Sequence, residues 1–283
     1  MENEILLRQF PNVTLTELTG GYTNKTLLLG GSDPLVVAKI FNINNKDARN
    51  EINILNLLNS SSVTPSIHDF IEDDTSLYII MDYIQGINGQ RVLDSNDMDK
   101  AREIYRLLGS HLSSEIHAIQ WKDHASELPI IELEDDSLDS LDFVPIDLKN
   151  EVKRILNVHV MHDVKTIIHG DYGPHNTILT EDSLVVIDWE WAGWGNPLQD
   201  ISWVVWFVHF YYPDAAAELS SIFLKAYRMH SPLIITEELI KAFALSRVIN
   251  ILKRIKNADI NVQKEWLRRL EWTLKNNMKG ELL

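Results

Sequence analysis

The periodicity of the chain changes near residue 85, and that change limits the folds open to it. Before it, apolar residues come in short runs: VTLTEL (13–18), KTLLLG (25–30), LVVAKIF (35–41), SIHDFIED (66–73) and SLYIIMDYI (76–84). The links between the first three, GGYTN and GGSDP, have the composition and length of hairpin turns. One segment differs. In KDARNEINILNLLNSS (46–61), Ile52, Leu55 and Leu58 fall on one helical face. The order predicts β-β-β-α-β-β. After QGINGQ (85–90), a glycine-bearing hinge or linker, the pattern turns helical: 96–119, 148–162, and three or four helices over 198–279. The expected architecture is α+β in two lobes. Residues 1–84 form a small antiparallel sheet with one helix, and residues 85–283 form a larger, mostly helical lobe.

Composition agrees with a folded chain of this kind. The 283 residues are 45% hydrophobic and 24% charged, enough for two modest lobes. The net charge of -15 argues against nucleic acid as the main partner, because a phosphate backbone calls for a basic face. It suits a cationic small molecule, and equally it suits plain solubility. No apolar run is long enough to span a membrane, MENEILLRQF carries no export signal, and cytoplasm is the expected location. With no cysteine, disulfides and thiolate metal sites are excluded. Oligomeric state is not legible.

Two stretches interrupt the helical region: HGDYGPHNTIL (169–179) and VVIDWEWAGWGNP (185–197). Glycines and a proline keep the first out of helix. TIL and LVVID read as a tight hairpin with Asp188 at its end. Asp171, Asn176 and Asp188 then offer three oxygen-bearing side chains, a set suited to a hard cation such as Mg2+.

His169-Gly170-Asp171, four residues, then Asn176 has the spacing of the protein-kinase catalytic loop. With Gly170 in second place, Asp188-Trp189-Glu190 downstream, and Gly195-Asn196-Pro197 leading to Asp200, the chain resembles the aminoglycoside phosphotransferase and choline kinase family, of protein-kinase-like fold. The resemblance runs in order along nearly the whole chain. It implies ATP or GTP with Mg2+ as cofactors, Asp171 as the catalytic residue, and Asn176 and Asp188 as metal ligands. It implies that Lys39, in VVAK, binds nucleotide phosphates and that Glu51 fixes it. The turn Gly20, Gly21, Tyr22, Thr23 and Asn24 would approach the phosphates. Adenine would lie against the backbone of Met81, Asp82, Tyr83 and Ile84. His169 would brace the loop, and Asp200 would cap the next helix or tie the loop down.

Further candidates face a substrate. His175 would contact phosphate or substrate, or simply sit on the loop. Glu190 would meet a metal-bound water or a cationic substrate. Five of the eight tryptophans lie between 189 and 206. Their faces attract quaternary ammonium groups. Trp191 and Trp194, in a loop, are the candidates for that contact, whereas Trp203 and Trp206 read as helix packing. The acidic segment 123–147 is a substrate lid or a connector. The expected reaction moves the γ-phosphoryl of Mg-ATP to a hydroxyl of a small molecule: an aminoglycoside-like antibiotic, choline or ethanolamine, or another amino- or sugar-alcohol. The alternatives are a protein kinase, a nucleotide-binding pseudokinase acting through partners, and a magnesium-dependent hydrolase. Against a protein kinase, no A-P-E follows Asp188 and the run to Asp200 is short.

Overall fold

The computed structural model describes residues 4–18, 24–59, 61–121, 128–133, 136–156 and 164–278. The chain divides into two compact units, Met1–Ile87 with Thr177–Ala192, and Asn88–Asn176 with Gly193–Leu283. The fold is α+β, with an antiparallel sheet in the N-terminal region and a helical C-terminal region.

The first unit contains α1 (Glu4–Gln9), β1 (Thr14–Glu17), β2 (Lys25–Gly30), β3 (Val36–Asn42), α2 (Lys46–Leu57), β4 (Ile67–Glu72) and β5 (Ser76–Asp82). The strands form one antiparallel sheet in the order β1-β2-β3-β5-β4. α1 is an addition to the expected order, too short to carry a periodic signal. It delivers Leu6 to a core of Leu27, Leu29, Val36, Ala38, Ile71, Tyr78 and Ile80. Each such aliphatic burial is worth about 1.5–3 kcal/mol.

Central strand β3 buries Val36, Val37, Ala38 and Lys39 in succession. α2 starts where the side chain of Asn45 accepts from the Asp47 N–H, and it buries Ala48, Glu51, Ile54 and Leu55. That spacing is one helical face, so Glu51 stands in the apolar stripe. The segment 177–192, which chain order places in the second lobe, clusters with this unit. It begins with the hairpin β9 (Thr177–Leu179) and β10 (Leu184–Val186), and the Val186 N–H donates to the Val63 carbonyl at 2.8 Å.

The second unit follows β6 (Ile87–Asn88). The stretch read as a linker opens α3 (Gly89–Asp94), because the Asn88 side chain caps it through the Gln90 N–H. α4 (Met98–His111) widens into one π-helical turn at Leu112–Ile116. β7 (Ile130–Ile131), β8 (Thr166–Ile168) and β11 (Gly193–Gly195) form a small mixed sheet with β11 in the middle. The remaining helices are α5 (Ile146–Leu156), α6 (Leu198–Tyr211), α7 (Pro213–Arg228), α8 (Glu237–Arg254) and α9 (Ile260–Lys275). Among the described residues, no helix is long and apolar enough to cross a membrane.

Candidate active site

Lys39 and Glu51 are charged residues placed on buried faces, and each answers the other. The Lys39 ammonium donates to Glu51 Oε2 at 2.6 Å. It also pairs with Asp188, and Glu190 Oε2 lies 3.7 Å away. Glu51 Oε1 accepts from the Trp189 N–H at 3.2 Å, so one buried glutamate holds both the lysine and the Asp188-Trp189-Glu190 segment. Asp188 has φ of 67°, in the left-handed region, two residues after the end of β10. Aspartate tolerates this conformation better than most residues. Asn50, beside Glu51, donates to the carbonyls of Glu190 (3.0 Å) and Ala192 (2.6 Å), fixing the segment from the other side.

The electrostatics are unbalanced. Carboxylate oxygens of Glu51, Asp188 and Glu190 come within 4.8 Å of one another around a single ammonium. Burial would lower the Lys39 pKa, but the three carboxylates push it above its ordinary value. Burial, with Asp188 close by, pushes the Glu190 carboxyl up to about 7. One more positive charge would relieve this crowding, so the residues fit a divalent cation.

Of the glycine turn, residues 19–23, including Gly20, Gly21, Tyr22 and Thr23, lie outside the described residues. Asn24 is described, and its amide donates to Glu190 Oε2. Met81 and Asp82 end β5, and the Tyr83 N–H donates to the Leu35 carbonyl at 3.1 Å. The Asp82 carboxylate is turned to the Ser66 N–H and His68. Ile84 follows, half-buried.

In the second unit, Asp171 is gripped on both carboxylate oxygens. Oδ2 accepts from Asn176 Nδ2 at 3.0 Å and lies 3.3 Å from His175 Nε2. Oδ1 accepts from the Trp203 indole N–H at 2.8 Å, with Arg247 Nη2 at 3.6 Å. Burial opposes ionisation of Asp171. The contact with His175 and the charge of Arg247 outweigh it and hold the carboxyl well below the usual carboxylate range. Asn176 Nδ2 also donates to the Asp171 carbonyl, which leaves the amide oxygen as the end able to meet a cation.

The loop is held from behind by Asp200. This fully buried carboxylate accepts from the backbone N–H groups of His169 (2.7 Å) and Gly170 (2.9 Å), with His117 Nε2 at 3.3 Å. Of the two roles considered for Asp200, this geometry is the loop tie. Gly170 has φ of 80°, a conformation costly to any residue with a Cβ, which explains the glycine between His169 and Asp171. His169 is fully buried, and its Nδ1 accepts from the Asp171 N–H at 3.2 Å.

With this geometry in view, a profile of the phosphotransferase enzyme family matches residues 14–234. The chain belongs to that family. Its fold is shared with a Ralstonia eutropha JMP134 protein described as a candidate aminoglycoside phosphotransferase (TM-score 0.70, 17% identity, 96% of each chain covered). It is shared with amicoumacin kinase hAmiN in complex with AMP-PNP, Ca2+ and Ami (TM-score 0.69, 15% identity, 99% of this chain and 95% of that one). A third is a thermostable aminoglycoside phosphotransferase APH(4)-Ia mutant in ternary complex with ADP and hygromycin B (TM-score 0.67, 14% identity, 96% and 97%). No curated protein matches the sequence.

Some placements in this phosphotransferase differ from the sequence reading. Trp194 is not in a loop. It is the centre of β11, opposite Ile130 and Ile167, with no exposed surface, so it packs rather than faces a substrate. Trp191 is half-buried beside Glu190. Trp203, read as packing, directs its N–H to Asp171. Arg247 was not singled out at all. The available signal was an arginine within the apolar run of α8. Asn50 carried no signal beyond adjacency to Glu51. His175 stacks on Phe207, ring centroids 4.6 Å apart. Of the acidic segment 123–147, the described Glu132 and Asp139 pair with Lys165 and Lys153, each at 2.7 Å. Residues 122–127 and 134–135 lie outside the described residues.

Proposed function

We propose that this chain is a small-molecule kinase that moves the γ-phosphoryl of Mg-ATP, or Mg-GTP, to an alcohol oxygen. The observation that carries the reading is Asp171, a carboxylate kept ionised and hydrogen-bonded at both oxygens on a loop tied down by Asp200. A group of this kind accepts a hydrogen bond from a hydroxyl and aims its oxygen. Lys39 would hold nucleotide phosphates, with Glu51 fixing the ammonium in place. Asn176 and Asp188 would hold Mg2+, which supplies positive charge to the transferring phosphoryl. Asn24 and the preceding turn would lie along the phosphates, and the Met81–Ile84 backbone along the base. Glu190 would meet a metal-bound water or the acceptor. The complexes of the structural relatives with AMP-PNP, ADP and hygromycin B support the choice of nucleotide and of a small acceptor.

The acceptor is a hydroxylated small molecule such as an aminoglycoside-like antibiotic, choline, ethanolamine or another amino- or sugar-alcohol. Arg247 places positive charge beside Asp171. A cationic group on the acceptor would therefore sit away from the reacting hydroxyl. We place the reaction in the cytoplasm, where ATP is abundant. The test is ADP release from Mg-ATP against a panel of such alcohols, with Asp171→Asn as control. Turnover that Asp171→Asn lowers by a factor of about 100 or more supports the kinase. Nucleotide binding without any difference between the two proteins points to a pseudokinase.

A further inference from the structure

We infer that Trp203 and Arg247 are positioning residues that aim the Asp171 carboxylate at the acceptor hydroxyl; the inference rests on the phosphoryl-transfer reading above. Asp171 sits in a loop, and its side chain has two rotatable bonds. Asn176 and His175 steady Oδ2, but both belong to the same loop and would move with it. The Oδ1 side is different. Its partners come from two long helices, Trp203 from α6 and Arg247 from α8.

Those partners are themselves held. The Trp203 ring stacks on Trp206 at a centroid distance of 4.4 Å and 6° between planes. Trp206 is fully buried and donates its indole N–H to Thr273 Oγ1 at 2.7 Å. The Arg247 guanidinium lies 5.6 Å from the Trp203 ring, close enough for a cation–π contact. The helical core thus fixes the Trp203 N–H, and Arg247 is braced against the ring that carries it. A ring needed only for packing has no reason to point its donor at Asp171; phenylalanine would fill the same stack. Small errors in placing a reacting group cost a large part of the rate, so the Trp203 N–H and the Arg247 charge should act on turnover and not on nucleotide affinity.

The test is a set of double-mutant cycles on the full chain: Trp203→Phe, Arg247→Gln, Arg247→Lys and Asp171→Asn, singly and with Asp171→Asn combined. ADP release is read at saturating Mg-ATP with the best acceptor of the panel, or with water as acceptor where none is found. Mg-ADP thermal shift checks the fold and nucleotide binding of each variant. The expected result is a kcat lowered tenfold or more in Trp203→Phe and Arg247→Gln, partial recovery in Arg247→Lys, and KM for ATP within twofold of wild type. In the Asp171→Asn background neither change should lower the rate further, since the carboxylate they act through is gone. Wild-type kcat in both single variants, or the same loss with and without Asp171, would overturn the role. Equal ADP release by wild type and Asp171→Asn would instead remove the kinase reading, and this role with it.

Discussion

The Lys39 ammonium and the Glu51 carboxylate meet at 2.6 Å, the glutamate fully buried on α2 and the lysine almost so on β3. Neither charge is tolerable at its position without the other. Lys39→Met leaves Glu51 buried without its countercharge. Removing one partner of a buried pair costs about 3–5 kcal/mol. The variant should melt well below wild type and show no Mg-ATP-induced rise in Tm. An unchanged Tm would mean that Glu51 finds another partner.

Asp188 stands at φ 67°. Asparagine adopts that conformation as readily as aspartate, whereas alanine does not. Asp188→Asn should keep the wild-type Tm within about 1 kcal/mol of stability, yet lower turnover by a factor of about 100 or more and abolish its dependence on Mg2+ concentration. Asp188→Ala should lose stability as well. Wild-type metal dependence in Asp188→Asn would take the metal role from this residue.

Gly170 donates its N–H to Asp200 at φ 80°. A Cβ there costs about 1 kcal/mol or more in backbone strain alone and shifts the residue before Asp171. Gly170→Ala should fold, with a modest loss in chemical denaturation, but lose far more activity than stability. Equal fractional losses would contradict the loop tie.

A pH effect is expected on α9. Hydrogen bonds from Arg268, then Arg269, hold the Glu265 carboxyl down at about 2, against an ordinary value of 4.5. A lowered carboxyl pKa gives stability that is fully present above 4.5 and is lost as pH falls toward 2. The pair is partly exposed, so the amount is under about 1 kcal/mol. Glu265→Gln should melt slightly below wild type at neutral pH, with the gap closing as pH falls through that window.

Much of the fold was legible because it rests on local periodicity. The five strands of the first sheet and α2 lie within two residues of their sequence-based bounds at nearly every end, but the sequence put Ile52, Leu55 and Leu58 on the packed face of α2, and Glu51 entered only through the resemblance; the face buried is that of Ala48, Glu51, Ile54 and Leu55. The loop at 169–176 was legible because glycine, proline and asparagine mark it as a turn. What escaped depends on distant parts of the chain. β11 is three residues long and made by pairing with β7 and β8, so Trp194 looked like a loop ring. Helical spacing assigned Trp203 to the core correctly as far as burial goes, but spacing is silent on where an indole N–H points. Arg247 lies 76 positions from Asp171 (247 − 171), and only the folding of α8 brings the two together.

In the proposed reaction a phosphoryl group reaches an alcohol. The most direct measurement follows the γ-phosphoryl of labelled Mg-ATP in the presence of the acceptor panel, separating phosphorylated acceptor from inorganic phosphate. Label should appear on one acceptor with wild-type protein and at most in trace with Asp171→Asn. Label recovered wholly as inorganic phosphate would make the protein a hydrolase, and nucleotide bound but left intact would make it a pseudokinase. Either result would rule out transfer to an alcohol.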